Sequence, residues 1–264
     1  MKFSAILAVS ALAFCGLLAG CGDSTATDNG QQKFIVGFDP EFPPYGFRQN
    51  GEYTGFDLDL AKEVCARRGW TFVANPVNWD AKDMELNSGA ISCIWNGFTM
   101  QGREGLYEWT EPYVDNSQVV LVTVASPIKT LADLAGQTVI VQKDTPVQEA
   151  LMKGGKLEKL GSTFRLLVSP DYNSAVMELE AGAASAVALD IGVAQKKMAD
   201  KPGVFRILDE IVMTETYGIG FKKGNVALRD QVQATLKEMV QDGTAAKISA
   251  KWFKGKNVIV LKTE

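Results

Sequence analysis

The chain has 264 residues, 46% of them hydrophobic and 22% charged, with a formal net charge of −4 and no histidine. That length carries one large domain or two modest ones with ample core. An acidic balance without a Lys/Arg run argues against a nucleic-acid surface, and the lack of histidine excludes Ser–His and Cys–His nucleophilic machinery and removes the commonest metal ligand.

The N-terminus reads as an export signal. Lys2 is followed by an apolar stretch, residues 3–19, that ends in small residues, the pattern of a cleaved leader. The run Leu18-Ala19-Gly20-Cys21 resembles a bacterial lipobox, in which Cys21 is acylated and becomes the first residue; an uncleaved anchor or a plain signal peptide is the alternative. Residues 1–20 are thus expected as a lipoprotein signal peptide. Residues 21–32, polar and without periodicity, are expected as a flexible tether.

From residue 33 strands and helices alternate. Lys33–Phe38 predicts a strand and the Pro-rich DPEFPPYGF a loop. Asp57–Arg68 predicts a helix with Leu60, Ala61, Val64 and Cys65 on one face and Gly69 as its stop. Strands follow at Trp70–Ala74 and Ala90–Ile94, around a helix at Asp80–Asn87, and a long β-branched strand covers Ser117–Val124. A second series gives short helix Leu131–Ala135, strand Thr138–Gln142, helix Pro146–Lys153, strand Phe164–Val168, helix Asn173–Ala181, strand Ala186–Leu189 and helix Ile191–Ala199. Tyr217–Phe221 is extended, and helices Ala227–Asp242 and Ala245–Phe253 close the chain. Two alternating series imply two α/β lobes with mostly parallel sheets.

Of four cysteines, Cys15 leaves with the leader and Cys21 carries lipid, so Cys65 and Cys93 remain in an oxidising setting. They are expected to form a disulfide worth roughly 3.5 kcal/mol on the chain-entropy estimate; two small buried thiols are the alternative.

The segment WNGFTMQGR after Ala90–Ile94 turns from apolar to aromatic, amide, glycine and hydroxyl and ends on Arg103. Arg103 is either a solvated arginine opening a surface loop or the partner of an anion. In open α/β sheets ligands bind beyond the carboxyl ends of the strands, which is where Trp95 onward is expected.

The stretches VGFDPEFPPYGF, GFDLDLAKEV, WDAKDMELNSG, CIWNGFT with Arg103, WTEPYV, DLAGQTVIVQKDT, ELEAGAASAVALD and TYGIGFKKGN, in that order, resemble the bacterial extracellular solute-binding proteins of the polar amino-acid ABC-importer family (family 3). The resemblance spans about residues 33–253. It implies a two-lobed α/β periplasmic-binding-protein fold, each lobe a mostly parallel sheet flanked by helices. Lobe 1 would hold residues 33–119 and 219–264, and lobe 2 residues 125–212. The hinge strands would lie at about 120–124 and 212–218. It implies capture of a free α-amino acid, polar or cationic, by a monomer that hands it to the membrane permease of an ABC importer. The protein would work at the periplasmic or cell-surface face of the membrane, held to the bilayer by Cys21, without cofactor or metal.

In that family an arginine forking the ligand carboxylate falls on Arg103, a hydroxyl on Thr99 and an amine-binding aspartate on Asp190. Aromatic walls fall on Phe42, Tyr45 and Trp79, with Asp39 near the ligand side chain and Asn96 and Gly97 in the same polar floor. Two departures stand out. Thr99 and Arg103 are four apart where many members have five, so Phe98 is the alternative neighbour. The second lobe reads Lys143-Asp144-Thr145 where small hydroxyl residues are usual, so Thr145 takes the hydroxyl role beside an unexpected aspartate.

The residues support these roles in their own right. A guanidinium fork matches a carboxylate by two parallel bonds that lysine cannot reproduce. Asp190 follows an apolar strand and precedes a helix, which makes it an N-cap, an ammonium partner, or both. The aromatics are core or pocket walls. Two other functions suit the same sequence: a dehydratase of prephenate-like acids on this fold, which needs a general acid in the cleft, and a sensory module presenting ligand to a receptor.

Overall fold

The computed structural model describes residues 27–28, 30–152 and 163–263. Its main sheet grows from two parallel cores. In the first lobe, Gln31–Phe38 lies between Thr71–Pro76 and Cys93–Thr99, all parallel. In the second, Thr138–Gln142 lies between Arg165–Ser169 and Ala186–Asp190, also parallel. Apolar runs such as TVIVQ and AVALD suit strands buried on both faces.

Two long antiparallel strands join the halves. Val114–Thr123 and Met213–Phe221 pair with each other from Gln118↔Met213 to Val114↔Tyr217. Beyond that stretch Met213–Phe221 continues against Cys93–Thr99, and Val114–Thr123 against Ala186–Asp190. Residues 120–124, expected as a crossing strand, carry Val120↔Ala188 and Leu121↔Val187 and also pair with Phe205–Ile207.

Pleating divides the second lobe's core. Val119, Leu121, Ile140, Val187 and Leu189 face one apolar cluster, while Val120, Val122, Val139, Val141 and Ala188 face the other. Successive strand side chains point to opposite faces, so each β-branched run feeds both layers. The first cluster continues into the other lobe through Phe34, Val36, Phe38 and Trp95, covered by helix Phe56–Arg68. That helix has Asp57 and Asp59 in its first turn and Arg67 and Arg68 in its last, matching its dipole. Gly69 ends it in the left-handed conformation, its N–H donating to Cys65 O.

Two expectations change. The strand predicted at Ala90–Ile94 is Cys93–Thr99, and Trp95–Thr99 belong to it rather than following it. Ser92 anchors its start, exchanging hydrogen bonds with Ile35 through its own N–H (2.7 Å) and through Oγ (2.9 Å). Its polar end is then paired by Tyr217↔Thr99 and Gly218↔Phe98, so a distant strand overrides the loop-like composition. The Pro-rich segment, predicted as a loop, folds into a small antiparallel sheet of Glu41–Phe42, Gly46–Gln49 and Glu52–Thr54, with a cis Pro43–Pro44 bond.

Cys65 and Cys93 are free, buried thiols and not the expected disulfide. Both pack into the first lobe's cluster as small apolar groups. Burial pushes the Cys65 thiol up to about 12 and the Cys93 thiol well above its usual value, so neither is poised as a thiolate.

Candidate functional site

The strand Cys93–Thr99 brings its polar residues to a narrow cavity between the lobes. Asn96, Gly97 and Thr99 line it from this side. Gly97 sits at φ +53, and a Cβ there would come within 2.9 Å of Phe42 Cε1 and 3.0 Å of Tyr217 Cε2. Its N–H donates to Asp57 Oδ2 at 2.6 Å, and Tyr113 OH donates to Oδ1 at 2.8 Å. Burial raises the Asp57 carboxyl to about 7 despite those donors.

Arg103 follows the turn after this strand and lines the cavity. Its side chain is 12% exposed, with the guanidinium carbon 5.0 Å from the Phe98 ring centre. Nη2 donates to Asp144 O at 2.7 Å and Nη1 to Thr99 O at 3.4 Å. It is therefore not the solvated arginine of a surface loop.

Asp144 supplies the opposite wall and answers the question of an aspartate beside a guanidinium. It sits in the left-handed region at φ +57, which turns its carbonyl to Arg103 and to Trp79 Nε1 (3.3 Å). Its carboxylate pairs with Lys82, whose side chain is 2% exposed, and lies 3.8 Å from Arg103. Thr145 lines the cavity while donating to Gln142 O (2.8 Å) and accepting from Gln148 N (3.4 Å), the pattern of a helix cap before Pro146–Met152.

Asp190 ends the strand Ala186–Asp190 and occupies the N-cap position of Ile191–Asp200, yet its side chain makes no cap hydrogen bond. It faces the cavity instead, with Oδ1 accepting from Asn116 Nδ2 (2.8 Å) and Tyr217 OH. A second buried carboxylate, Glu215, accepts from Asn116 (2.6 Å), Gln118 (2.7 Å) and the Thr99 hydroxyl (3.0 Å). Burial, and then the charge of Glu215, push the Asp190 carboxyl up to about 7.

Phe42 and Trp79 line the cavity as expected walls, and Asp39 joins them. Asp39 accepts from Gln142 Nε2 (2.7 Å) and Glu41 N (2.8 Å), and burial raises it to about 6. Tyr45 and Phe98 do not line it. Tyr45 is buried between Phe42, Tyr217 and Phe253, with ring centres 5.3–5.8 Å apart. Phe98 lies beneath Arg103, 4.9 Å from Trp109 and 5.1 Å from Tyr107. The aromatic cluster of Trp79, Tyr107 and Trp109 holds Phe98 behind the cavity wall, and the positive φ of Gly97 breaks the regular alternation, so Asn96, Gly97 and Thr99 all reach the cavity.

The residues not foreseen are Gln118, Gln142 and Pro146 in the wall and Glu215, Asn116 and Lys82 behind it. A signal did exist for the glutamines: each sits at one end of an apolar strand run, SQVVLV and TVIVQ. A group of three or more His, Cys, Asp or Glu side chains able to hold a metal does not occur among the described residues, and no helix among them is long and apolar enough to cross a membrane.

Comparison with known proteins agrees with this architecture. Residues 34–255 match the family model of bacterial extracellular solute-binding proteins, family 3. The L-cystine-binding protein TcyJ of Escherichia coli (strain K12) is 26% identical, with 94% of each chain covered. The arginine-binding extracellular protein ArtP of Bacillus subtilis (strain 168) is 25% identical, with 96% of this chain and 98% of that one covered. A substrate-binding protein of an ABC uptake transporter from Streptococcus pneumoniae, solved with bound histidine, superposes with a TM-score of 0.82 at 27% identity, over 87% of this chain and 95% of that one. The family is one of solute-binding proteins, and these relatives are named as binding proteins, not enzymes, which removes the dehydratase alternative. The chain belongs to the bacterial extracellular solute-binding proteins of family 3.

Proposed function

We propose that this protein captures a free α-amino acid with a polar or cationic side chain and delivers it to the permease of an ABC importer. The observation that carries the reading is one cavity holding a guanidinium, Arg103, and a buried carboxylate, Asp190, against walls from both lobes. Arg103 forks the ligand carboxylate and Asp190 takes its ammonium. Phe42 and Trp79 flank the aliphatic stem, and Asp39 with Gln142 meets the polar end. With Asp144 paired to Lys82, Arg103 and Asp190 meet the two ends of the amino acid and Asp39 is left over in the wall, a balance that favours a ligand with an additional positive charge. The relatives bind cystine, arginine and histidine by name or in the crystal, which supports the class.

The reading takes the lobes as about residues 33–119 with 219–264 and 125–212, closing on the ligand about the paired crossing strands. The protein acts as a monomer on the periplasmic or cell-surface side. Acylated Cys21, which lies outside the described residues, holds it to the membrane through a tether shorter than the expected 21–32, because Thr27–Asp28 pair with Gln31 and Gln32 as strands of the first lobe's sheet. Replacing Cys21 by alanine should release the protein from membranes into the soluble exported fraction, and retention of the variant would remove the anchor from the reading.

A melting screen tests the ligand class. The protein is first unfolded and refolded to strip bound solute, then heated with the twenty standard L-amino acids, L-cystine, and their decarboxylated and deaminated counterparts. A ligand at a hundredfold excess over its Kd adds about 2.7 kcal/mol of stability. Intact amino acids are expected to shift the melt and the truncated forms to fail, because a missing end leaves a buried protein charge unpaired. Shifts from sugars or dicarboxylates with every amino acid silent would overturn the reading.

A further inference from the structure

The wall beside Asp190 contains a buried acceptor that no group of the protein uses. Gln118, 1% exposed, lies on the crossing strand Val114–Thr123 and lines the cavity. Its Nε2 donates to Glu215 Oε1 at 2.7 Å and also lies against the Asp190 carboxylate. Ionised carboxylates only accept, so the amide nitrogen must face them and the amide oxygen must turn away. That oxygen has no hydrogen-bond partner among the described residues. Buried polar atoms are nearly always paired, and an orphan of this kind marks a place for a missing donor.

Asn116, two residues earlier on the same strand, makes the contrast. Its Nδ2 bridges the same two carboxylates and its Oδ1 is likewise unpaired among the described residues, but Asn116 lines a separate open groove beside Asp115 and Thr216. Gln118 is the member of the pair that borders the ligand cavity.

We propose that Gln118 is a further ligand residue, its amide oxygen accepting an N–H of the bound ammonium beside Asp190, and that Glu215 is the positioning residue that aims it. This rests on the amino-acid reading above. An ammonium brings three N–H donors, and Asp190 already spends Oδ1 on Asn116 and Tyr217. Glu215 also takes the proton of the Thr99 hydroxyl at 3.0 Å, which leaves Thr99, another cavity residue, as an acceptor rather than a donor. One buried carboxylate thus orients two neutral side chains with their lone pairs toward the ligand. Three acceptors on Asp190, Gln118 and Thr99 then match three donors. Selectivity follows: the site recognises the number of N–H groups and not the positive charge alone.

The test uses the amino acid of the above panel with the largest melting shift, beside its Nα,Nα-dimethyl derivative, which keeps the charge with a single N–H. Calorimetry reads Kd for both in wild type and in Gln118→Met, a variant of similar length without the acceptor. A hydrogen bond to a charged group is worth roughly tenfold or more in affinity. Gln118→Met is therefore expected to lose at least that factor on the parent amino acid and little on the dimethyl form, so the ratio of the two Kd values collapses. Glu215→Gln, which touches no ligand, is the second variant should Gln118→Met not fold. It frees the Gln118 amide to flip and is expected to shrink the same ratio. A ratio unchanged in the folded variant, with wild type binding normally, overturns the role of Gln118. Wild type that binds no amino acid overturns the amino-acid reading itself and this inference with it.

Discussion

Replacing Lys82 by methionine isolates the contact that ties the lobes together at the guanidinium. Lys82 sits in helix Lys82–Ser88 of the first lobe and Asp144 in the turn before Pro146–Met152 of the second, so their ion pair bridges the two lobes. Two unit charges about 4 Å apart attract by about 4 kcal/mol at an effective dielectric of 20. The Asp144 side chain is 38% exposed, and screening cuts the net value to about 1–2 kcal/mol. Losing the pair has a second effect. The Asp144 carboxylate, 3.8 Å from Arg103, becomes an uncompensated competitor for the guanidinium that the ligand carboxylate needs. Lys82→Met should therefore weaken amino-acid binding by roughly 5- to 30-fold. Adding Asp144→Asn removes the competitor and should recover part of the affinity, giving a non-additive cycle measurable by calorimetry. Wild-type affinity in Lys82→Met, or strictly additive losses in the double variant, would refute the reasoning.

Other substitutions test the remaining contacts. Arg103→Ala should weaken binding by about 2–5 kcal/mol, and Arg103→Lys should recover little of it because the fork is lost; calorimetry with wild-type affinity for Arg103→Ala would return the residue to a structural role. Asp190→Asn should keep the fold and weaken binding, since its side chain makes no cap bond to lose. Its carboxyl, raised to about 7 mainly by burial, must ionise to hold an ammonium, so affinity should rise as pH climbs toward about 7, level off above, and lose this dependence in Asp190→Asn. For the ligand-free fold the sign is opposite. Asp57 and Asp190, raised from 3.8 to about 7, bind more protons folded than unfolded between those values, so stability should fall from pH 4 to 7; a melting temperature rising across that window would contradict it. Cys65 and Cys93 should resist alkylation in the native protein and both react after unreduced denaturation, whereas a linked peptide in mass mapping would restore the disulfide.

Much of the molecule was legible in the linear order of residues. Apolar runs of strand length, helical faces ended by Gly69, and two alternating series are local signals, and they determine a two-lobed α/β architecture. Arg103, Asp190, Asp39, Phe42, Trp79 and Thr145 came to the site through the resemblance to the family; local pattern alone left Arg103 as a solvated or an anion-holding residue and Asp190 as a helix cap or an ammonium partner. What only tertiary structure decided depends on partners far away in the chain. Trp95–Thr99 are a strand because Tyr217 and Gly218 pair with them. Asp190 faces the cleft and does not cap its helix because Asn116 and Tyr217 hold it there. Tyr45 is core because Tyr217 and Phe253 close over it, and Asp144 is tolerable beside a guanidinium because Lys82, 62 positions away, pairs with it. The sense of the Gln118 amide depends in the same way on Glu215, 97 positions further on. Local pattern sets which residues enter an element and which end of it is polar. Which buried charge meets which partner is set where the two lobes and their crossing strands converge, because burial makes an unpaired charge too costly to leave alone.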